Sequence, residues 1–141
     1  MAEVNILLVE DDEVDVMAVK RALKELKIAN PLFRAADGVE GLEILRGING
    51  KKKLPRPYIV LLDLNMPRMG GLEFLDELRK DPDLHRSIVF VMTTSTAEED
   101  RFRAYDRCIA GYVLKSSAAN SFIQAVTMLE HYWRVIEFPE Q

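Results

Sequence analysis

Tyr58-Ile-Val-Leu-Leu-Asp63-Leu-Asn-Met-Pro67-Arg-Met-Gly70-Gly71 is the stretch that decides the fold. An apolar run reaches one aspartate, and the chain then breaks at Pro67 and two glycines. A short apolar run bounded by turn residues reads as a fully buried strand. In a parallel sheet, ligands bind beyond the carboxyl ends of the strands. Asp63 is therefore expected at the mouth of such a sheet, with its carboxylate facing a crevice.

Working outward, the same punctuation recurs. Residues 4–9 form a compact apolar run that ends in Glu10-Asp11-Asp12-Glu13. The acids from Asp12 to Asp15 suit the first turn of a helix, where they oppose the dipole. That helix runs to about Lys27 and buries Val16, Val19, Leu23 and Leu26. A second strand covers 32–36, Asp37-Gly38 is a turn, and residues 38–46 form a helix with Val39, Leu42 and Leu45 inward. Glycines, two prolines and Lys51-Lys52-Lys53 mark 47–57 as a solvated loop. The third helix covers 72–79, with Leu72, Leu75 and Leu78 apolar.

Residues 88–92 are the fourth strand, followed by Thr93-Thr-Ser95-Thr96. Ser95-x-x-Glu98 and Thr96-x-x-Glu99 are both candidate capping boxes for a fourth helix that reaches about Arg107. Residues 112–114 are the fifth strand and lead to Lys115. A small-residue loop at 116–120 precedes a last helix over 121–136. Five strands alternate with five helices, the pattern of an α/β fold. Right-handed crossovers favour a flavodoxin-like, doubly wound (βα)5 arrangement, a five-stranded parallel sheet of order 2-1-3-4-5.

The chain has 141 residues, which suits one domain over 1–141 with a core at 4–136 and a short tail at 137–141. Its net charge of −4 gives no support to nucleic-acid binding. Cys108, the single cysteine, excludes an internal disulfide and fits a reducing compartment. No apolar run approaches the length of a membrane span, and the first residues lack the regions of a signal peptide, so the cytoplasm is expected.

With strands one and three adjacent, Glu10 and Asp11 come close to Asp63. Three converging carboxylates repel one another, and a divalent cation relieves the conflict. Oxygen ligands select Mg²⁺, with Mn²⁺ or Ca²⁺ as substitutes. Lys115 and Thr93 end strands five and four and point into the same crevice. A cation, an ammonium and a hydroxyl around one carboxylate are the parts that hold a phosphoryl group, and the carboxylate itself can act as nucleophile.

Ile6-Leu-Leu-Val-Glu10-Asp11-Asp12, Leu61-Leu-Asp63-Leu-Asn-Met-Pro-Arg-Met-Gly-Gly71, Val91-Met-Thr93-Thr-Ser95 and Tyr112-Val-Leu-Lys115 stand in order along the chain. Together they resemble the response-regulator receiver domain of the chemotaxis-regulator type, over essentially the whole length. The resemblance implies that Asp63 accepts phosphate from a histidine kinase. Asp11, Asp63 and the Asn65 main-chain carbonyl would hold Mg²⁺, with Glu10 assisting through water. Lys115 would pair with the phosphoryl oxygens and Thr93 would hydrogen-bond them. Tyr112 would then swing inward and reshape the face of helix four, strand five and helix five. Asn65 and Ser95 would tune loss of phosphate. Such a domain is a switch that promotes only its own phosphorylation and dephosphorylation, not an enzyme acting on other substrates. Leu64-Asn-Met-Pro-Arg68, the lysine-rich loop and Tyr132-Trp133 resemble stand-alone receivers that accompany bacterial phytochromes, which makes a bacteriophytochrome or related sensor the implied kinase. Output is then expected through contact with another protein, or by passing phosphate onward in a relay.

The chain departs from that pattern in two places. Ser116 stands where receivers carry proline after the lysine, so the Lys115–Ser116 bond is either a strained cis bond or part of a rearranged trans loop. Cys108 stands where glycine tends to end helix four; a left-handed conformation there would cost about 1 kcal/mol, and inert packing is its expected role. His85 and His131 are expected as ordinary surface residues.

At about 100° per residue, Phe122, Val126, Leu129, Trp133 and Ile136 share one stripe of the last helix. Ala125, Met128, Tyr132 and Val135 form a second, and leaving it wet would create an apolar patch, so a homodimer through helix five is expected. Two other functions fit less well. An aspartate-nucleophile phosphatase needs Asp-x-Asp, and here the third residue is Asn65. A flavodoxin-like cofactor binder needs a phosphate-cradling loop after strand one, where Glu10–Glu13 would repel a phosphate.

Overall fold

The computed structural model describes the main chain of residues 3–115 and 119–139, with side chains for all of these except 119–123. The elements run β1 (Asn5–Val9), α1 (Glu13–Glu25), β2 (Leu32–Ala35), α2 (Gly38–Arg46), β3 (Tyr58–Leu62), α3 (Gly71–Lys80), β4 (Ile88–Thr93), α4 (Glu98–Asp106), β5 (Gly111–Leu114) and α5 (Ala119–Val135). The strands form one parallel sheet in the order β2-β1-β3-β4-β5, as expected for the flavodoxin-like fold.

Every residue of β1 and β3 is buried, so the two-residue period of a strand divides their side chains between two cores. Leu7, Val9, Val60 and Leu62 face Leu42, Phe74, Leu75 and Ala104 from α2, α3 and α4. Ile6, Leu8, Ile59 and Leu61 face Val16, Val19, Leu129 and Trp133 from α1 and α5. Three leading apolar positions end up only half-buried. Val39, Leu26 and Leu72 yield the core to Gly41, Ala22 and Phe74. Gly41 packs so closely that a Cβ there would meet Phe74 at 3.0 Å and Val9 at 3.3 Å.

Side chains and turns set the helix ends. Asp12 caps α1 by accepting from the Val14 amide at 2.8 Å, and Asp37 caps α2 by accepting from Glu40 at 2.9 Å. Neither capping box proposed for α4 forms. Its cap is Ala97, without a side-chain hydrogen bond, because the chain stays extended through that residue. Ser95 and Thr96 therefore lie outside the helix. The Ser95 hydroxyl accepts from the Ala97 amide and donates to Asp100 at 2.7 Å. α5 begins at Ala119, two residues before the expected start. The Lys115–Ser116 bond and positions 116–118 lie outside the described residues.

Cys108 is left-handed, with φ +58°, and it is exposed rather than packed. The Arg79 guanidinium, on α3, holds this corner by donating to the carbonyls of Arg107 and Cys108 at 2.9 Å and of His85 and Ser87 at 2.8 Å. Since those bonds engage only main chain, Cys108→Gly removes the left-handed strain and keeps the clamp. The variant is expected to be more stable by up to about 1 kcal/mol, after allowing for the extra freedom of glycine in the unfolded chain. A urea midpoint equal to or below that of the parent would contradict this.

Candidate functional site

Parallel register brings the site together. β1 and β3 pair Val9 with Leu62, and β4 and β5 pair Thr93 with Leu114. One residue further on, the chain is still tied across the sheet. The Asp63 amide donates to the Val9 carbonyl at 3.0 Å, and the Lys115 amide to the Thr93 carbonyl at 2.7 Å. Glu10, Asp63 and Lys115 thus emerge together at the carboxyl edge.

Glu10, Asp11 and Asp63 each bring a carboxylate oxygen within 4.8 Å of the others. Glu10 and Asp63 are buried, whereas Asp11 is exposed. Lys115 Nζ donates to Glu10 Oε2 at 2.6 Å and to Asp15 Oδ2 at 2.9 Å, and it lies 3.6 Å from Asp63 Oδ1. Burial pushes the Glu10 carboxyl up to about 7, even against the pull of Lys115. Burial likewise raises Asp63, opposed by Lys115 and the Leu64 amide and reinforced by Asp11 and Asp15. Burial disfavours the Lys115 ammonium, but its bonds to Glu10 and Asp15 and the charge of Asp63 outweigh that and hold it above the ordinary lysine range.

The donor set is all oxygen and carries more negative charge than one lysine neutralises. These residues therefore fit a hard divalent cation held by Asp11 and Asp63, with Glu10 beside them.

Thr93 is fully buried. Its hydroxyl accepts from the Ser95 amide at 3.2 Å, and the Tyr112 hydroxyl donates to the Ser95 carbonyl at 3.0 Å. Ser95 therefore links strand end to strand end: its amide meets Thr93 and its carbonyl meets Tyr112. Asn65 is exposed in the loop beyond the acceptor. That loop turns tightly enough that a Cβ on Gly71 would lie 2.5 Å from the Asp63 carbonyl oxygen, so glycine is required there. Arg68, at φ +63°, reaches Asp37 at 2.7 and 3.1 Å. Burial works against ionised Asp37, but Arg68 and the Glu40 amide outweigh it and keep this carboxyl below its usual range.

Three contributors escaped the sequence reading. Asp15 was read as a helix-start acid, yet it grips Lys115; its position one turn into α1 after the acidic run was the available signal. Arg34, on β2, donates to the Glu10 carbonyl at 3.0 Å, the Asp11 carbonyl at 3.3 Å and Glu13 at 2.7 Å, which anchors the acidic loop. No motif marks it. Nothing in the sequence marks Arg68 beyond its place in the Leu64–Arg68 motif. The second stripe of α5 divides. Val135 is 80% exposed and Met128 41%, Ala125 is half-buried, and Tyr132 turns to the sheet, its ring edge-on to Phe90 at 4.9 Å. His85 and His131 are exposed.

The chain matches the response regulator receiver domain family over residues 6–127. It is 36% identical over 128 residues to the response regulator Rcp1 of Synechocystis, covering 91% of this chain and 87% of that protein. Among solved structures it is similar to the phosphorylated cyanobacterial phytochrome response regulator RcpA, with a TM-score of 0.88 and 33% identity over 99% of this chain and 100% of that one. The Mn²⁺-bound form of Rcp1 superposes with a TM-score of 0.86 and 34% identity, again over 99% of this chain and 100% of that one.

Burial makes the ionised Glu10 carboxylate costly, and Lys115 offsets that cost only in part. Glu10→Gln is expected to raise the metal-free melting temperature at pH 8 by a few degrees and to shrink the further rise caused by millimolar Mg²⁺ or Mn²⁺. Calorimetry with and without metal checks both effects. An unchanged metal-free value would mean that burying the ionised Glu10 carboxylate carries no net cost.

Proposed function

The chain belongs to the response regulator receiver domain family, and on that premise we propose that it works as a single-domain response regulator that takes a phosphoryl group from a histidine kinase onto Asp63. The observation that carries this is the Lys115 ammonium 3.6 Å from Asp63, in a crevice where three carboxylates lie within reach of one ion. An Asp63 oxygen attacks phosphorus as the N–P bond of the kinase phosphohistidine breaks. The imidazole leaves with the electron pair and takes up a proton, and an acyl phosphate remains on Asp63. Lys115 moves toward the phosphoryl oxygens and offsets their charge.

Mg²⁺ is the proposed resident cation, with Mn²⁺ or Ca²⁺ as substitutes. Asp11, Asp63 and the Asn65 main-chain carbonyl would hold it, and Glu10 would assist through water. When bound, it neutralises charge between the acceptor and the incoming phosphoryl group.

Thr93 is the proposed sensor. Its hydroxyl leaves the Ser95 amide and donates to the phosphoryl group. Because Ser95 also accepts from Tyr112, that movement frees the Tyr112 ring to turn inward. The face of α4, β5 and α5 changes shape in consequence, a two-state element biased by added charge. Asn65 and Ser95 flank the acceptor and control the approach of hydrolytic water, so the protein would promote its own dephosphorylation and act on no other substrate.

The likeness to RcpA supports a phytochrome-type sensor kinase as the input, and a downstream protein takes the output. No helix among the described residues is long and apolar enough to cross a membrane, and the proposed location is the cytoplasm. A homodimer through α5 is proposed on the exposure of Met128 and Val135. Tyr132 is half-buried, its ring edge-on to Phe90, so Met128 and Val135 supply most of the exposed apolar surface of that stripe.

Incubation with Mg²⁺ and a small acyl-phosphate donor is expected to label the parent and not Asp63→Asn, while Lys115→Ala slows labelling about a hundredfold. Equal labelling of the parent and Asp63→Asn would reject the acceptor. Met128→Glu combined with Val135→Glu is expected to give a folded monomer in sedimentation velocity. A dimer that survives both changes would place the contact elsewhere.

A further inference from the structure

We propose that the open edge of β2 is a docking groove for an extended, acidic segment of a partner protein, which adds beside β2 as a further strand. β2 closes the sheet on one side, and among the described residues no strand lies beyond it. The Pro31 and Ala35 carbonyls accept from Ile6 and Glu10 of the β1 side. Alternation along a strand then turns the main-chain groups of Leu32 and Arg34 outward. On the same edge the Ala36 amide is already taken by Glu40 at 2.7 Å. What remains open is the short stretch from Leu32 to Arg34.

A groove of about 440 Å³ runs beside that stretch. Phe33, Leu32, Ile44 and Leu54 form its apolar wall, and Phe33 is 39% exposed. Lys52 and Lys53 stand on its rim, both exposed. The neighbouring cations are already engaged: Lys51 with Glu40 at 2.8 Å and Arg34 with Glu13 at 2.7 Å. Lys52 and Lys53 form no ion pair among the described residues.

One occupant satisfies all three features. Its main chain pairs with the strand edge, one apolar side chain fills the groove, and its carboxylates meet the two free ammoniums. A nucleic acid would answer only the ammoniums and would meet Glu40 and Glu43 on the adjoining helix. Lysines at a sheet edge also deter unwanted pairing, but lysines that serve only that end need no apolar groove beneath them. Of the residues that line the groove, only Arg34 also serves the acceptor site, by anchoring the acidic loop.

The test titrates the full chain, isotope-labelled and without phosphodonor, with an acetylated octapeptide of alternating Glu and Val, followed by amide chemical shifts. Saturable shifts centred on Leu32, Phe33 and Arg34 are expected. Lys52→Glu with Lys53→Glu should weaken binding about tenfold, as should Phe33→Ser. The lysine positions are exposed, so that variant keeps the fold and still accepts phosphate on Asp63. Loss of docking and loss of phosphorylation therefore register separately. Shifts that are absent or lie elsewhere would overturn the proposal. So would binding that survives the lysine variant, or equal binding of a Glu–Gly octapeptide or of oligothymidylate.

Discussion

Lys115 lies 2.6 Å from Glu10, 2.9 Å from Asp15 and 3.6 Å from Asp63, at the mouth of a sheet whose inner strands β1 and β3 are buried on both faces. Taking the buried Glu10 and Asp63 carboxylates out of water costs several kcal/mol each after relaxation, a large fraction of the roughly 5–15 kcal/mol by which a typical domain is stable. One ammonium cannot balance three carboxylates and Asp11 besides. Burial is the main reason the Glu10 carboxyl is pushed up to about 7, with the charge of Asp63 adding a smaller push.

The rest of the structure keeps that imbalance in place. Parallel register delivers Glu10, Asp63 and Lys115 to one edge, and the two buried cores prevent the strands from slipping, because a one-residue slip would turn every apolar side chain to the wrong face. Gly71 lets the chain turn back against the Asp63 carbonyl, and Arg34 holds the acidic loop by its main chain. Ser95 is the only group that touches both the buried Thr93 and Tyr112 among the described hydrogen bonds. Thr93 and Tyr112 are thus joined by hydrogen bonds through one residue of the loop before α4.

Ser95 also shows how far pattern reading carries. Its spacing to Glu98 matches a capping box, but a box requires the serine to sit at the helix boundary. Ala97 is the cap instead, since the chain stays extended through it and the Ser95 hydroxyl bonds Asp100. Tyr132 makes the same point on α5. Helical spacing grouped it with Met128 and Val135, yet an aromatic ring is long enough to reach Phe90 from the margin of the buried stripe. Cys108 was legible in the opposite sense: the preference of that corner for glycine anticipated its positive φ, although not its exposure.

Strand number, order and the identity of the clustered acids were available from the chain alone, because apolar runs ending at Pro, Gly or an acid report burial and termination locally. The family membership followed from the same residues. Asp15, Arg34 and Arg68 were not available, because each acts on a partner 21 to 100 residues away with no spacing rule to connect them. The short gap in β2's edge depends in the same way on where Glu40 and Lys51 come to rest. Hydrogen bonds across the sheet are set by how helices lie on it, and that is decided only when the two cores close.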